Sequence, residues 1–372
     1  MNISKKRLAI FLPGLYDGGA ERTLLNLAEG IASRGFPVDL VLARAEGPYM
    51  AEIPDSVRVI DLKAPRVFLC LPALVHYLQS ERPVALLSTL YANIIAVWAR
   101  RITGIPQRVV LNEQNTLSSV SNGEKDMRWK LYLELAKWFY PWADAITAVS
   151  NGVATDLALA AKLPPSLIQV IYNPIVTREL KIKSESHLDH PWFRKGEPPV
   201  VLGVGRLTDQ KAFNILIESF AQVRKSQPAR LLILGEGEDR PMLEALVRQL
   251  GLEQDVSMPG FVSNPYPYMA QAALFVLSSR WEGLPTVLVE AMSLGTPVIA
   301  TDCPSGPMEI LRNGQYGQLV PMDDPHALAL AIQKSLANHE TCSYEENWKR
   351  FELDFVTDQY INALMNPQST TE

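Results

Sequence analysis

Residues 200–225 read VVLGVGRLTDQKAFNILIESFAQVRK: an apolar run, a loop carrying Gly205, Arg206 and Lys211, then apolar residues at helical spacing. Residues 8–34, LAIFLPGLYDGGAERTLLNLAEGIASR, repeat the plan with Gly18 and Gly19 in the loop. A run that is apolar at nearly every position reads as a strand buried on both faces. Such strands belong to parallel sheets covered by helices on each side. A strand that feeds a helix through a glycine-containing loop also brings unpaired backbone N–H groups to the helix start, where an anion is favoured. Further apolar runs at 38–43, 57–62, 84–87, 108–111 and 145–149 follow the first, and 231–234, 274–277 and 298–300 follow the second. Helical periodicity is read at 21–34, 71–81, 212–225, 240–250, 286–294 and 325–336. The expected fold class is α/β, two doubly wound halves facing one another across the carboxyl ends of their strands.

A chain of 372 residues accommodates two such halves at roughly 150 residues per domain. The boundary is expected between 173 and 199, where Pro174, Ser184, Ser186, His187, His190, Pro198 and Pro199 break any regular period. The expected domains are 1–178 and 195–344, with the acidic, aromatic tail at 345–366 forming a helix that returns to the first half. Hydrophobic residues at 47% and charged residues at 20% exclude a disordered or fibrous chain. Cys70, Cys303 and Cys342 are widely spaced with no CxxC, which indicates neither a disulfide framework nor a zinc module, and a reducing compartment is expected.

Charge is uneven. Residues 1–180 hold 19 basic and 16 acidic side chains, whereas 181–372 hold 16 and 24. A basic half facing an anionic surface is one reading, and chance is the other. Lys5, Lys6 and Arg7 precede only a five-residue apolar run before Pro13, too short for a signal segment. The uncharged stretch 84–99 is interrupted by Ser88, Thr89 and Asn93 and reads as a buried strand followed by a helix, since a span needs about 20 apolar residues. A soluble, cytoplasmic chain is expected, with peripheral contact at the inner face of the cytoplasmic membrane.

Three constellations carry chemistry. In 280–290, RWEGLPTVLVE, Gly283 and Pro285 place Glu282 in a loop and Glu290 on the helix that follows. Two carboxylates so placed can grip hydroxyls at two ends of an extended ligand, while N–H groups between them face an anion. The plain alternative is one glutamate favourable to a helix dipole and an unrelated second one. Arg206 and Lys211, five positions apart at a strand-to-helix junction, suit a diphosphate, the arginine through a fork and the lysine as a mobile point charge. A solvated loop with ordinary charges is the alternative. Gly18 and Gly19 permit close backbone approach before a helix, in itself a weak signal.

Taken together, GGAERTLLNLA, GVGRLTDQKAFNILIESFA, LILGEGEDRPMLEAL, MPGFVSNPYPYMAQA and SSRWEGLPTVLVEAMSLGTPVIATDCPSGPMEIL resemble, in order and spacing, the family-4 retaining glycosyltransferases. The resemblance spans about 13–312 and is nearest to members that build bacterial surface polysaccharides and lipid-linked oligosaccharides. It implies a GT-B fold, with a nucleotide-sugar donor in the second domain and the acceptor in the first. It implies that Arg206 and Lys211 hold the donor diphosphate, Glu290 the ribose hydroxyls and Glu282, of the E-x7-E motif with Gly283, Leu284, Pro285 and Thr286, the transferred sugar. Gly19 would offer its N–H to the distal phosphate, and the turn Gly260, Phe261 and Val262 would lie against the nucleobase, largely through main-chain contacts. The donor expected is a UDP-sugar, hexose or N-acetylhexosamine. The acceptor expected is a lipid diphosphate, oligosaccharide or polysaccharide.

The mechanism implied is same-face transfer in which the departing phosphate oxygen takes the acceptor's proton, so the enzyme positions the reactants and neutralises the leaving group. No Asp-x-Asp occurs, so no metal and no cofactor are expected; nucleic acid is not an expected partner. The sequence departs from the family where many members carry a histidine: 111–116 reads LNEQNT, with Gln114 at that position, or Glu113 if the register shifts by one. An amide donates to a hydroxyl but does not titrate. On this reading Gln114→Ala lowers turnover and spares donor binding. His187 and His190 lie i to i+3 in the linker without a third ligand and read as solvated; Glu236 and Glu238 read as loop residues. Residues 128–142, RWKLYLELAKWFYPW, hold three of the seven tryptophans among Arg128, Lys130 and Lys137. Such a mixture suits a membrane interface, and a helix packed into the first core is the alternative. Two other functional classes stay open at this stage: a nucleotide-sugar epimerase of the same architecture and a non-catalytic nucleotide-sugar-binding protein.

Overall fold

The structure, a computed structural model, describes residues 6–16, 18–118, 127–338 and 347–366. The chain divides into two compact units, one formed by 1–175 with 350–372 and the other by 176–349. In the first unit, seven parallel strands, β1 (Leu8–Leu12), β2 (Val38–Leu42), β3 (Val57–Asp61), β4 (Ala85–Thr89), β5 (Arg108–Glu113), β6 (Ala145–Ala148) and β7 (Ile168–Val170), lie in the order β3-β2-β1-β4-β5-β6-β7. The helices among them are α1 (Gly19–Ser33), α2 (Leu71–Glu81), α3 (Asn93–Thr103), α4 (Met127–Phe139) and α5 (Asn151–Ala160).

The second unit begins with α6 (Arg178–Ser184), followed by β8 (Val200–Val204), α7 (Phe213–Ser226), β9 (Arg230–Leu234), α8 (Arg240–Gln249), β10 (Val256–Gly260) and α9 (Tyr266–Gln271). It continues with β11 (Leu274–Leu277), α10 (Thr286–Ser293), β12 (Val298–Thr301), α11 (Pro307–Ile310), β13 (Gln318–Val320) and α12 (Pro325–Asn338). Its six parallel strands are ordered β10-β9-β8-β11-β12-β13. The last helix, α13 (Leu353–Met365), belongs to the first unit.

Alternation along the strands explains the two-faced burial. Ala9, Phe11, Val41, Leu86, Val109 and Leu111 pack on one side of the first sheet with Leu74 and Leu78 of α2 and Ile95 and Ala99 of α3. Leu8, Ile10, Leu12, Leu40, Leu87 and Val110 pack on the other with Leu24 and Ala28 of α1 and Val356 and Tyr360 of α13. Each such buried aliphatic side chain contributes about 1.5–3 kcal/mol.

The strands that periodicity misses, β7, β10 and β13, are all at sheet edges, where one flank is open and the residues need not be uniformly apolar. The reading of 173–199 as aperiodic also needs correction. Thr177 caps α6 by accepting from the Leu180 N–H at 3.0 Å, and the Lys183 carbonyl accepts from Asn264 at 3.0 Å. His190 is not a solvated linker residue. Its Nδ1 accepts from the Trp192 N–H at 3.2 Å, and its ring meets Trp192, Phe193 and Tyr268 edge to face; that burial lowers its pKa. Cys342 and His339 lie outside the described residues.

α13 is fixed to α1 and to the first sheet by polar contacts as well as by its apolar face. Arg34 donates to Asp358 at 2.5 Å and to the Asp354 carbonyl at 2.8 Å, and Arg108 donates to the Ala363 carbonyl at 2.8 Å. Buried beneath them, Asn112 of β5 donates to the Tyr360 hydroxyl at 2.9 Å and to Thr147 at 3.0 Å. Removing the Tyr360 oxygen strands an amide N–H of Asn112 inside the core, so Tyr360→Phe is expected to cost about 1–3 kcal/mol in urea unfolding; a change below 0.3 kcal/mol would show that the bond contributes nothing.

Candidate functional site

In the second sheet the strand order reverses between β8 and β11. At such a reversal the loops leave in opposite directions and open a crevice at the carboxyl ends of the strands. The loop after β8 carries Arg206 and Lys211; the loop after β11 carries Glu282. These loops are tied together. Lys211 Nζ donates to Glu282 Oε1 at 2.6 Å, Gln210 donates to the Trp281 carbonyl at 2.9 Å, and Ser278 donates to the Lys211 carbonyl at 2.8 Å. Arg280 pairs with Asp209 at 2.6 Å and Asp323 at 2.9 Å.

Glu282 is 6% exposed and also accepts from the Ser279 hydroxyl at 2.6 Å. A buried carboxylate held by a cation and a hydroxyl is fixed in direction. Lys211 retains a flexible stem and an ammonium at the rim, whereas Arg206 is exposed and makes no ion pair among the described residues. The Arg206 loop is braced from below: a Cβ on Gly235 would stand 1.9 Å from the Gly205 carbonyl oxygen, so only glycine fits.

Gly283, Leu284 and Pro285 are buried, and α10 starts at Thr286. Gly283 accepts from Ser305 at 2.8 Å, which fastens the 303–306 loop over the helix start. Glu290, on the second turn of α10, is 5% exposed, with the Tyr266 hydroxyl 3.5 Å from its Oε1. Phe261 follows β10 with its ring 53% exposed, and Val262 is half-buried beside it. The second unit thus assembles Lys211, Glu282 and the 283–286 turn directly, with Arg206, Phe261 and Val262 following strand ends and Glu290 on α10.

Gly19 and Gln114 belong to the first unit. Gly19 is the exposed first residue of α1. Gln114 is 5% exposed, and its amide is engaged: Asn173 donates to its Oε1 at 2.9 Å, and its own Nε2 donates to Asn112. Gln114→Ala therefore removes internal hydrogen bonds of the first unit in addition to any contact with a ligand. Its neighbour Glu113 is fully buried. Tyr140 donates to it at 2.8 Å, and the same hydroxyl lies 2.8 Å from that of Tyr132, which reaches the Leu90 carbonyl at 3.0 Å. Burial pushes the Glu113 carboxyl up to about 7, against the Tyr140 and backbone N–H bonds that favour its charge; Asp156 adds to the rise.

Sequence reasoning gave Ser279, Tyr266 and Tyr140 no part in a site, although each lies in a stretch quoted above. Their hydrogen bonds to Glu282, Glu290 and Glu113 arise only after folding. Among the described residues, no group of three or more His, Cys, Asp or Glu is placed to hold a metal ion, and no helix is long and apolar enough to cross a membrane.

The profile described as Glycosyl transferases group 1 matches residues 187–350, and the one described as Glycosyltransferase Family 4 matches residues 17–179. The N-acetylgalactosamine-N,N'-diacetylbacillosaminyl-diphospho-undecaprenol 4-alpha-N-acetylgalactosaminyltransferase of Campylobacter jejuni is 30% identical over 89% of this chain and 90% of its own. The chain belongs to glycosyltransferase family 4. A Rhizobium meliloti lipopolysaccharide core biosynthesis glycosyltransferase, LpsE, is 26% identical over 94% of this chain and 96% of its own. Among solved structures, Anabaena HepE in complex with UDP-glucose superposes with a TM-score of 0.76 at 22% identity, over 96% of this chain and 99% of that one. The apo lipopolysaccharide outer core galactosyltransferase WaaB superposes with a TM-score of 0.72 at 22% identity, over the same shares. The fold of this glycosyltransferase is GT-B, and the enzyme is a hexosyltransferase.

The Glu113 carboxyl gives this transferase a pH signature. A carboxyl whose folded pKa lies above its unfolded value of 4.5 stabilises the fold below that value and loses the contribution as pH rises to about 7. In urea unfolding at stepped pH, the stability difference between Glu113→Gln and wild type should drift in favour of the variant by about 3 kcal/mol between pH 4.5 and 8. A difference independent of pH would show that Glu113 titrates normally.

Proposed function

We propose that this glycosyltransferase moves a hexose or N-acetylhexosamine from a UDP-sugar to a lipid-linked or polysaccharide acceptor, with retention of anomeric configuration and without a metal ion. The observation that carries the reading is the Lys211–Glu282 pair at the strand-order reversal of the second unit, 2.6 Å apart beside the exposed Arg206. A carboxylate and two cations on adjoining loops meet the needs of a sugar joined to a diphosphate. Glu282 accepts from sugar hydroxyls, Lys211 and Arg206 face the phosphates, and Glu290 accepts from the ribose. The exposed Phe261 ring offers a stacking face to the base, with Val262 beside it. The 283–286 turn lies at the mouth of α10, whose dipole favours negative charge.

In the proposed step, the bond between the anomeric carbon and the phosphate oxygen breaks and the acceptor oxygen bonds to the same face of that carbon. The acceptor's proton passes to the departing phosphate oxygen, so no protein base is required. Lys211 and Arg206 stabilise the charge that grows on the leaving diphosphate, the largest kind of contribution available to a preorganised site. Gly19 is assigned to the distal phosphate, as the family resemblance implies, and Gln114, which departs from the family's histidine, to the sugar. Support for the donor comes from the UDP-glucose complex of HepE, and support for a lipid-linked acceptor from the diphospho-undecaprenol in the name of the Campylobacter relative.

Peripheral contact with the inner face of the cytoplasmic membrane is part of the proposal. α4 turns Tyr132, Ala136 and the following Tyr140 inward, while Leu131 and Trp138 are 58% and 72% exposed. Trp142, 42% exposed, lies under Arg101, and Ile102 is 61% exposed beside them. The helix thus packs into the first core by one face and keeps an aromatic, apolar outer face beside cations, the composition that seats at a lipid headgroup layer. The side chains of Arg128 and Trp129 lie outside the described residues.

A panel of nucleotide sugars tests the central reading, with slow donor hydrolysis as the readout. One UDP-sugar should be hydrolysed in the presence of a chelator, and Lys211→Ala should lower that rate at least a hundredfold, roughly the 2.7–4 kcal/mol carried by one preorganised charge-stabilising group. Hydrolysis confined to non-uridine donors, or a Lys211→Ala rate within threefold of wild type, would contradict it.

A further inference from the structure

Glu113 ends a row of buried hydroxyls that the proposed transfer step does not use. Its carboxyl, 3% exposed at the end of β5, lies 2.8 Å from the Tyr140 hydroxyl. That hydroxyl lies 2.8 Å from the Tyr132 hydroxyl, which in turn lies 3.0 Å from the Leu90 carbonyl. Asn93 of α3 donates to the Tyr140 oxygen at 3.1 Å and so supplies no acceptor to the row. Each hydroxyl has one proton to give. An ionised carboxyl therefore leaves two tyrosyl protons for three contacts, and one close oxygen–oxygen approach holds no hydrogen. A protonated carboxyl supplies the third proton: Glu113 donates to Tyr140, Tyr140 to Tyr132, and Tyr132 to the Leu90 carbonyl. All three separations are of hydrogen-bond length, the arrangement that the neutral acid satisfies in full.

Both ends of the row are turns. Leu90 opens the turn after β4 at a φ of 56°, a left-handed backbone that costs a leucine energy, and the Tyr132 bond to its carbonyl helps to hold it there. At the other end, the N–H groups of Gln114 and Asn115 bond to the Glu113 carboxyl, and the Ser118 N–H donates to Asp156 at 3.2 Å. The segment that carries Gln114 is thus pinned by Glu113 where it begins and by α5 where it ends. Among the described residues, the titratable groups that face Glu113 are Tyr132 and Tyr140, from α4 and the turn after it, and Asp156 from α5; α3 contributes the uncharged Asn93. Burial first, and then the like charge of Asp156, favour the protonated form.

We infer that Glu113 is a positioning residue that acts as the neutral acid: its proton completes the chain through Tyr140 and Tyr132 to Leu90 and locks the turn carrying Gln114 to the turn after β4. When that proton is lost to solvent, the Tyr140 O–H swings back to the carboxylate. Tyr132 then has one proton for both Tyr140 and Leu90, the chain breaks there, and the two turns are no longer coupled. This rests on the assignment of Gln114 to the transferred sugar and deepens it, because the amide, which does not titrate, gains a pH dependence from its neighbour.

Donor hydrolysis at stepped pH tests it, using the UDP-sugar that the panel selects. Wild-type kcat should fall about fivefold or more between about pH 6 and 8.5, with KM constant within about threefold, as the carboxyl ionises. Glu113→Gln keeps a donor toward Tyr140 and an acceptor for the two N–H groups. It should retain more than about a third of the wild-type turnover at the acid end and lose most of the fall. Tyr132→Phe, which cuts the chain at every pH, should be about fivefold slower at the acid end and fall no further. Infrared difference spectra of the unliganded full chain over the same range should show a protonated-carboxyl C=O band that wild type loses and Glu113→Gln lacks. UDP titration of the same samples reports that they are folded. A fall of equal size in wild type and Glu113→Gln, wild-type turnover in Tyr132→Phe, or no such band in wild type overturns the inference. Wild-type protein that hydrolyses no nucleotide sugar overturns the underlying reading instead, and the infrared band then still reports the proton on Glu113.

Discussion

A parallel sheet whose strand order reverses cannot close over its own carboxyl edge, because the crossing helices on either side of the reversal leave in opposite directions. Both units of this glycosyltransferase are built under that constraint, at β1/β4 and at β8/β11. Everything chemical follows from what the loops at the reversal carry. In the second unit they carry a lysine and a glutamate that meet at 2.6 Å, and Ser279 and the brace around Gly235 hold that meeting in place.

A buried ion pair of this kind is a poor source of stability, since desolvating both partners offsets much of their attraction. It is better understood as a poised arrangement. Without ligand, Glu282 neutralises Lys211. On the proposed reading, a donor diphosphate gives the lysine a second anion within reach of its four-carbon stem and leaves the carboxylate to the sugar.

Much of this was legible in the sequence. The runs at 8–12 and 200–204, apolar at almost every position, specify parallel strands covered on both faces, and they match β1 and β8. The glycine-bearing loops after them mark the helix starts. What stayed hidden depends on distance through space. β7, β10 and β13 are edge strands with mixed burial, and α6 is a short helix defined by a Thr177 cap inside a stretch rich in linker residues. Arg206, Lys211, Glu282 and Glu290 could be singled out as candidates because each sits in a motif with fixed spacing. Ser279 and Tyr266 could not, because their contacts with Glu282 and Glu290 exist only after folding. Net charge could not single out these candidates: Arg206 and Lys211 lie in the more acidic half of the chain.

The account turns on Lys211 being shared between Glu282 and the donor diphosphate. Calorimetric titration of UDP, which has the diphosphate but no sugar, into wild type and Glu282→Gln isolates that exchange. Removing the carboxylate frees the lysine and eliminates a repelling charge, so UDP should bind Glu282→Gln as tightly as wild type or several-fold more tightly, while sugar transfer collapses. A UDP affinity that falls tenfold or more in Glu282→Gln would contradict the account, since it would mean that Glu282 holds the nucleotide itself.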